Sequence, residues 1–111
     1  MEILKSQFED ICSEDMKQYR DIAERFQSIS TEDKIGLEEL QKDTWLLGTR
    51  WSEIQSNASK IAKEYGLKKT EFGEWAYQKY RQLQELHITC RSWYRQLWED
   101  ERALKMSKNI L

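Results

Sequence analysis

Between Leu37 and Tyr65 the chain repeats one pattern, with Leu37, Leu40, Thr44, Leu47, Trp51, Ile54, Ala58, Ile61 and Tyr65 at alternating intervals of three and four. A stripe of that period, held for about four heptads, is what a long α-helix needs to bury one side along its whole length. A strand has a side-chain period of two and would scatter the same residues over both faces. The chain has no Pro and only four Gly, so the strongest helix breakers are nearly absent. The spacing predicts a helix over 31–65. Ser30, with Asp33 three residues on, resembles a capping box at its start, and Tyr65-Gly66-Leu67 resembles a glycine C-cap at its end.

The flanking segments carry the same signal. Upstream, Phe8, Cys12, Tyr19, Ile22, Phe26 and Ile29 lie on one stripe, widened by Leu4 and Ile11 and interrupted by Asp15, which predicts a helix over 2–28. Downstream, Thr70 is placed to cap a third helix over 71–106, whose seam runs Ala76, Tyr80, Leu83, His87, Cys90, Tyr94, Leu97 and Leu104. The fold expected is all-α: three long helices in an antiparallel, coiled-coil-like bundle forming a single domain over residues 1–111. A chain of 111 residues has room for one core and no separate catalytic lobe.

Charge is distributed unevenly although the formal net is only −2. Met1 to Asp33 holds nine acids against four bases, whereas Gly66 to Trp98 holds six bases against three acids. Cys12 and Cys90 are far apart, with no CxxC pair and one His, which favours neither a disulfide framework nor a zinc site. No long apolar run or signal-peptide pattern occurs near Met1. The expectation is a soluble, intracellular protein in a reducing compartment, without a membrane span.

Catalysis requires a nucleophile, or an acid and a base, brought together in a pocket. The sequence offers His87 three residues before Cys90, and because both lie on the seam they read as core residues and not as a reactive pair. The four glycines are isolated from one another, so no phosphate loop is formed. The acids Glu9, Asp10, Glu14 and Asp15 sit in a helical stretch that lacks the turns of a hard-metal loop. No catalytic, cofactor or metal residues are assigned.

The surface signal is on the third helix. Tyr77, Arg81, Gln84, Ile88, Arg91, Arg95, Trp98 and Arg102 follow one another at three-four spacing beside the seam. Guanidinium groups bind carboxylates and phosphates through planar donor forks, and interleaved aromatics add stacking surface. Taken alone, the arginines read first as internal, paired with Glu14, Asp21 and Glu24 of the first helix. The alternative is a partner-binding face. Trp45, Trp75 and Trp93 also lie off the seam, and a surplus of Trp and Arg marks interfaces as readily as a wide core.

Two short stretches resemble known families. Ile61, Ala62, Tyr65, Gly66, Leu67, Phe72 and Trp75 fall where a helix-turn-helix motif places its apolar, Ala and turn-Gly positions. That resemblance implies DNA contacts, with Lys68, Lys69 and Thr70 near the backbone and Glu74 and Tyr77 near bases. Leu47, Trp51, Ile54 and Ala58 are similar to part of a spectrin-type repeat helix, which implies a three-helix architecture. The functional expectation is a non-enzymatic adaptor without cofactor. It binds a protein partner or a second copy of itself through Tyr77, Arg81, Arg91, Arg95, Trp98 and Arg102, with Trp45 and Trp75. The alternative is a nucleic-acid-binding regulator that uses Lys68, Lys69, Thr70, Tyr77 and Arg81.

Overall fold

The computed structural model describes the backbone of residues 2–110 and the side chains of residues 6–105. The chain is all-α among these residues. Five helices follow in order: α1 (Glu2–Ile11), α2 (Ser13–Ser28), α3 (Lys34–Ser56), α4 (Ala58–Tyr65) and α5 (Lys69–Ile110). Five helices in place of the expected three arise from interruptions at Cys12 and Asn57. At both, the i to i−4 ladder carries through: Cys12 N–H donates to Phe8 O and Met16 N–H to Cys12 O, while Asn57 N–H donates to Glu53 O and Ile61 N–H to Asn57 O. The interruptions are therefore kinks within two rods. At Asn57 the side-chain amide also donates to Glu53 O at 3.0 Å, competing with the backbone for the same acceptor.

Cross-helix pairs give the directions. Lys34 meets Glu101, Thr44 meets His87 and Trp51 meets Trp75, so α3 and α5 run in opposite directions. Arg25 with Asp43 and Arg50 with Asp15 set α2 against α3 the same way. Tyr19 donates to Gln82, and Phe26 stacks on Trp93 at 5.4 Å, which makes α2 run with α5. The result is an up-down-up rod measuring 69 × 23 × 19 Å. Its long dimension matches α5, whose 42 residues extend ~63 Å at ~1.5 Å each.

The ends of the middle rod are chemically marked. Asp33, and not Ser30, is the N-cap of α3, and its carboxylate accepts from Gly36 N–H at 3.0 Å. Ser30 instead organises the preceding turn by accepting from Glu32 N–H. A Cβ added at Gly36 would fall 2.5 Å from Asp33 Oδ2 and 2.9 Å from Ile29 Cδ1, so the capping carboxylate and the Ile29 tip would have to shift to admit it. Gly66 closes α4 in the left-handed region at φ 65°, and Leu67 N–H donates to Ala62 O, the Schellman arrangement the sequence suggested. The third helix begins at Lys69, not after Thr70. Phe72 N–H donates to Lys68 O, and Thr70 lies exposed within the first turn.

The core follows the seams with three shifts. Leu37, Leu40, Thr44, Leu47, Trp51, Ile54 and Ala58 are buried as expected. Past the kink at Asn57, Ala62 takes the core position and Tyr65 is left 57% exposed. Past the kink at Cys12, Met16 turns inward and Asp15 moves to the flank, where Arg50 meets it at 3.2 Å. Leu104 is 63% exposed because α3 begins at Lys34, opposite Glu101, and among the described residues nothing covers α5 beyond that point. The expected contribution of Leu4 lies outside the described side chains.

At one end of the rod four rings, Phe8, Trp51, Phe72 and Trp75, touch at centroid separations of 5.3 to 5.9 Å and join α1, α3 and α5. Trp51, fully buried at its centre, should be among the costliest residues to truncate: Trp51→Ala is expected to lower unfolding free energy by ~3–5 kcal/mol. Leu104→Ala should stay within ~0.5 kcal/mol of the unaltered chain. Urea denaturation followed by far-UV circular dichroism measures both.

Candidate functional site

The outer stripe of α5 is built by helix periodicity. Its core residues, Phe72, Ala76, Leu83 and Cys90, face α3, which leaves the residues half a turn away in solvent. All eight of Tyr77, Arg81, Gln84, Ile88, Arg91, Arg95, Trp98 and Arg102 are exposed. Internal pairing of these arginines is therefore corrected. Acids of α2 pair elsewhere, Asp21 with Arg25 and Asp15 with Arg50, because α2 packs on the opposite side of the α3–α5 pair. Arg81 has one ion pair, with Glu85 of its own helix at 3.9 Å, and among the described residues Arg91, Arg95 and Arg102 have none.

The tryptophans divide. Trp75 is a core residue, 7% exposed and packed on Phe8, Trp51 and Phe72, so its expected place at a binding surface is corrected. It sits beside Ala76 on the broad inner face that α1 and α3 cover together. Trp93 is half-buried against Phe26. Trp45 and Trp98 remain at the surface, 64% and 51% exposed. One face of Trp98 is occupied by the Lys34 ammonium, 3.7 Å from the ring centroid, and that ammonium also meets Glu101 at 3.0 Å.

Beside the stripe lies a notch that sequence reasoning did not find. Trp45, Gly48, Thr49 and Ser52 of α3, with Tyr80, Gln84 and His87 of α5, line a cavity of about 170 Å³. Thr44 Oγ1 donates to Leu40 O at 2.7 Å and lies 3.1 Å from His87 Nδ1, which is 2.9 Å from Gln41 O. A carbonyl oxygen only accepts, so His87 Nδ1 is the donor to Gln41 O. The ring of Trp45 lies 5.5 Å from that of His87. His87 is thereby committed to α3, not to Cys90. The only sequence trace of the notch is the i, i+4 run of small residues Thr44, Gly48 and Ser52.

The helix-turn-helix stretch is placed as follows. α4 is short, eight residues, and Gly66 makes the turn. Phe72, Trp75 and Ala76 are buried, while Lys68, Lys69, Thr70, Glu74 and Tyr77 are exposed, and Lys68 pairs with Glu71 at 3.9 Å.

Among the described residues no group of three or more His, Cys, Asp or Glu could hold a metal, and no helix is long and apolar enough to cross a membrane. Comparisons of the chain with protein families, with curated proteins and with solved structures found no match.

Both thiols are buried and free. Burial, reinforced by Asp15 and partly offset by Arg50, pushes Cys12 up to about 11, and burial also raises Cys90. A thiol whose folded value lies above its unfolded one stabilises the fold at neutral pH and loses that stabilisation as pH climbs. Thermal stability should therefore fall progressively between about pH 9 and pH 11, and the fall should be smaller in Cys12→Ala. Alkylation by iodoacetamide at pH 8 should be far slower in the folded chain than in urea.

Proposed function

We propose that this protein is a non-enzymatic interaction module in which α5 presents its basic-aromatic stripe to another protein. The three rods, α1–α2, α3–α4 and α5, are read as an antiparallel coiled-coil-type bundle that holds the stripe straight over ~38 Å, from Tyr77 to Arg102. The observation that carries this reading is the exposure of all eight stripe residues, together with the absence among the described residues of any counter-charge on Arg91, Arg95 and Arg102. A helix stripe that combines unpaired guanidinium groups with solvent-exposed Ile88 and Trp98 suits helix-on-helix docking: the apolar side chains anchor and the arginines select register. The raised thiols and the committed His87 leave no activated nucleophile at Cys12 or Cys90, which supports the non-enzymatic reading.

Self-association through this stripe is disfavoured by charge. Two stripes lying antiparallel about Ile88 would bring Arg81 against Arg95 of the other copy, and like charges in register oppose pairing. Nucleic acid is the second reading, favoured by Lys68, Lys69 and Thr70 at the start of α5. It is weakened by Glu71 beside Lys68 and by the exposed Glu74 and Glu85, which set carboxylates where phosphates would lie.

The test uses a synthetic amphipathic helix of about 20 residues carrying Glu flanks and a Leu seam, ~30 Å long. The unaltered chain should bind it, Arg91→Glu/Arg95→Glu should lose that binding at least tenfold, and a Lys-flanked version should restore it. Fluorescence anisotropy measures all three. Retention of a single-stranded oligonucleotide near physiological salt, with affinity falling steeply as salt rises, would overturn the proposal in favour of the second reading.

A further inference from the structure

The α3–α5 pair has two long grooves, and the fold fills only one. α1 and α2 lie in the first, along a line marked by Phe8 with Trp75, Tyr19 with Gln82 and Phe26 with Trp93. The second groove, on the other side of the pair, is the one into which Trp45, Gly48, Tyr80 and His87 open. Gln84 belongs both to this groove and to the arginine stripe, so the stripe is one wall of the groove and α3 is the other. Lys34 seated on Trp98 closes the far end.

Gly48 gives the groove its floor. A glycine in a helix interior weakens the helix by ~0.5–1 kcal/mol relative to Ala, and within a chain the space it leaves is accounted for where a neighbour needs it. Here no neighbour does: a Cβ added at Gly48 would meet nothing within 4 Å. The room made by the missing side chain therefore serves no contact inside this chain. It opens toward Trp45, a ring that is 64% exposed.

We infer that the open α3–α5 groove is a docking site for one acidic amphipathic helix of a partner protein, which seats a single apolar side chain in the notch over Gly48 and sets its carboxylates against Arg91 and Arg95. Two observations choose this occupant. Arg91 and Arg95 on the groove's rim are exposed and without counter-charge among the described residues. The opposite groove of the same helix pair is filled by α1 and α2, from the segment whose nine acids outnumber its four bases. The chain thus carries in itself an acidic amphipathic helix lying along this pair, and the second groove takes another of that kind as a fourth helix.

The inference rests on the reading of the α5 stripe as an interaction face, and the experiment separates the two. Two Glu-flanked peptides, one with Leu at the central seam position and one with Ala there, are titrated against the purified chain beside a Lys-flanked version of the first, which should not bind. The Leu peptide should bind at least tenfold more tightly than the Ala peptide. Gly48→Leu, which fills the notch, should erase that difference without lowering the melting temperature. Gly48→Ala serves as the conservative control and should bind nearly as the unaltered chain does. If Gly48→Leu melts normally and still distinguishes Leu from Ala, the notch is not the anchor and the inference falls, while loss of binding in Arg91→Glu/Arg95→Glu keeps the stripe reading. If no Glu-flanked peptide binds, both fall. A concentration-dependent dimer in sedimentation that Gly48→Leu abolishes would overturn the inference in favour of a second copy as occupant.

Discussion

The packing of four aromatic rings at one end of the rod is the interaction on which the remaining structure depends. Phe8, Phe72, Trp75 and Trp51 meet edge to face or tilted, in the range where ring quadrupoles attract beyond the burial of their area. Elsewhere the first rod is held to α5 by half-buried side chains, such as Phe26 on Trp93 and Tyr19 near Gln82. The ring cluster is the place where three rods meet through fully enclosed side chains. The two kinks flank it: Cys12 follows Phe8 by one turn and Asn57 follows Trp51 by less than two, and because these rods run in opposite directions the two steps lead to opposite sides of the rings.

How the remaining surface is used follows from which groove the first rod occupies. With α1 and α2 on one side of the α3–α5 pair, Asp21 and Asp15 of α2 meet Arg25 and Arg50, and the arginines of α5 face water. The contrast between an acidic start and a basic final helix, legible in composition, thus becomes a difference between two faces of one rod. Trp98 illustrates the change of role. Its ring meets the edge of the core at Tyr94, and Lys34, itself paired with Glu101, covers its other side at the end of a groove.

Periodicity made the class of fold and most of the core readable, and the stretch from Leu37 to Ile54 needed no correction. What escaped it were features that periodicity does not encode. Neither Cys12 nor Asn57 is a glycine or a proline, so the kinks carry no conventional breaker, and each shifts the inward position by one residue, from Asp15 to Met16 and from Ile61 to Ala62. For Trp75 a flanking position reads equally as interface or as wide core, and burial decides it: α1 and α3 together cover a broad face of α5 that includes both Trp75 and Ala76. The α5 stripe itself was fully legible, but its orientation was not, since a helix carries no signal for which of two equivalent grooves a neighbour will enter. The notch over Gly48 arises between helices and belongs to neither sequence segment alone.

The kinks at Cys12 and Asn57 also bear on how the rod would respond to load. Two of its three members carry a joint, one on each side of the aromatic cluster, and among the described residues α5 alone runs past both unbroken. Tension along the long axis is then carried by that one continuous strut, while sideways force finds its compliance at two staggered levels with the rings between them.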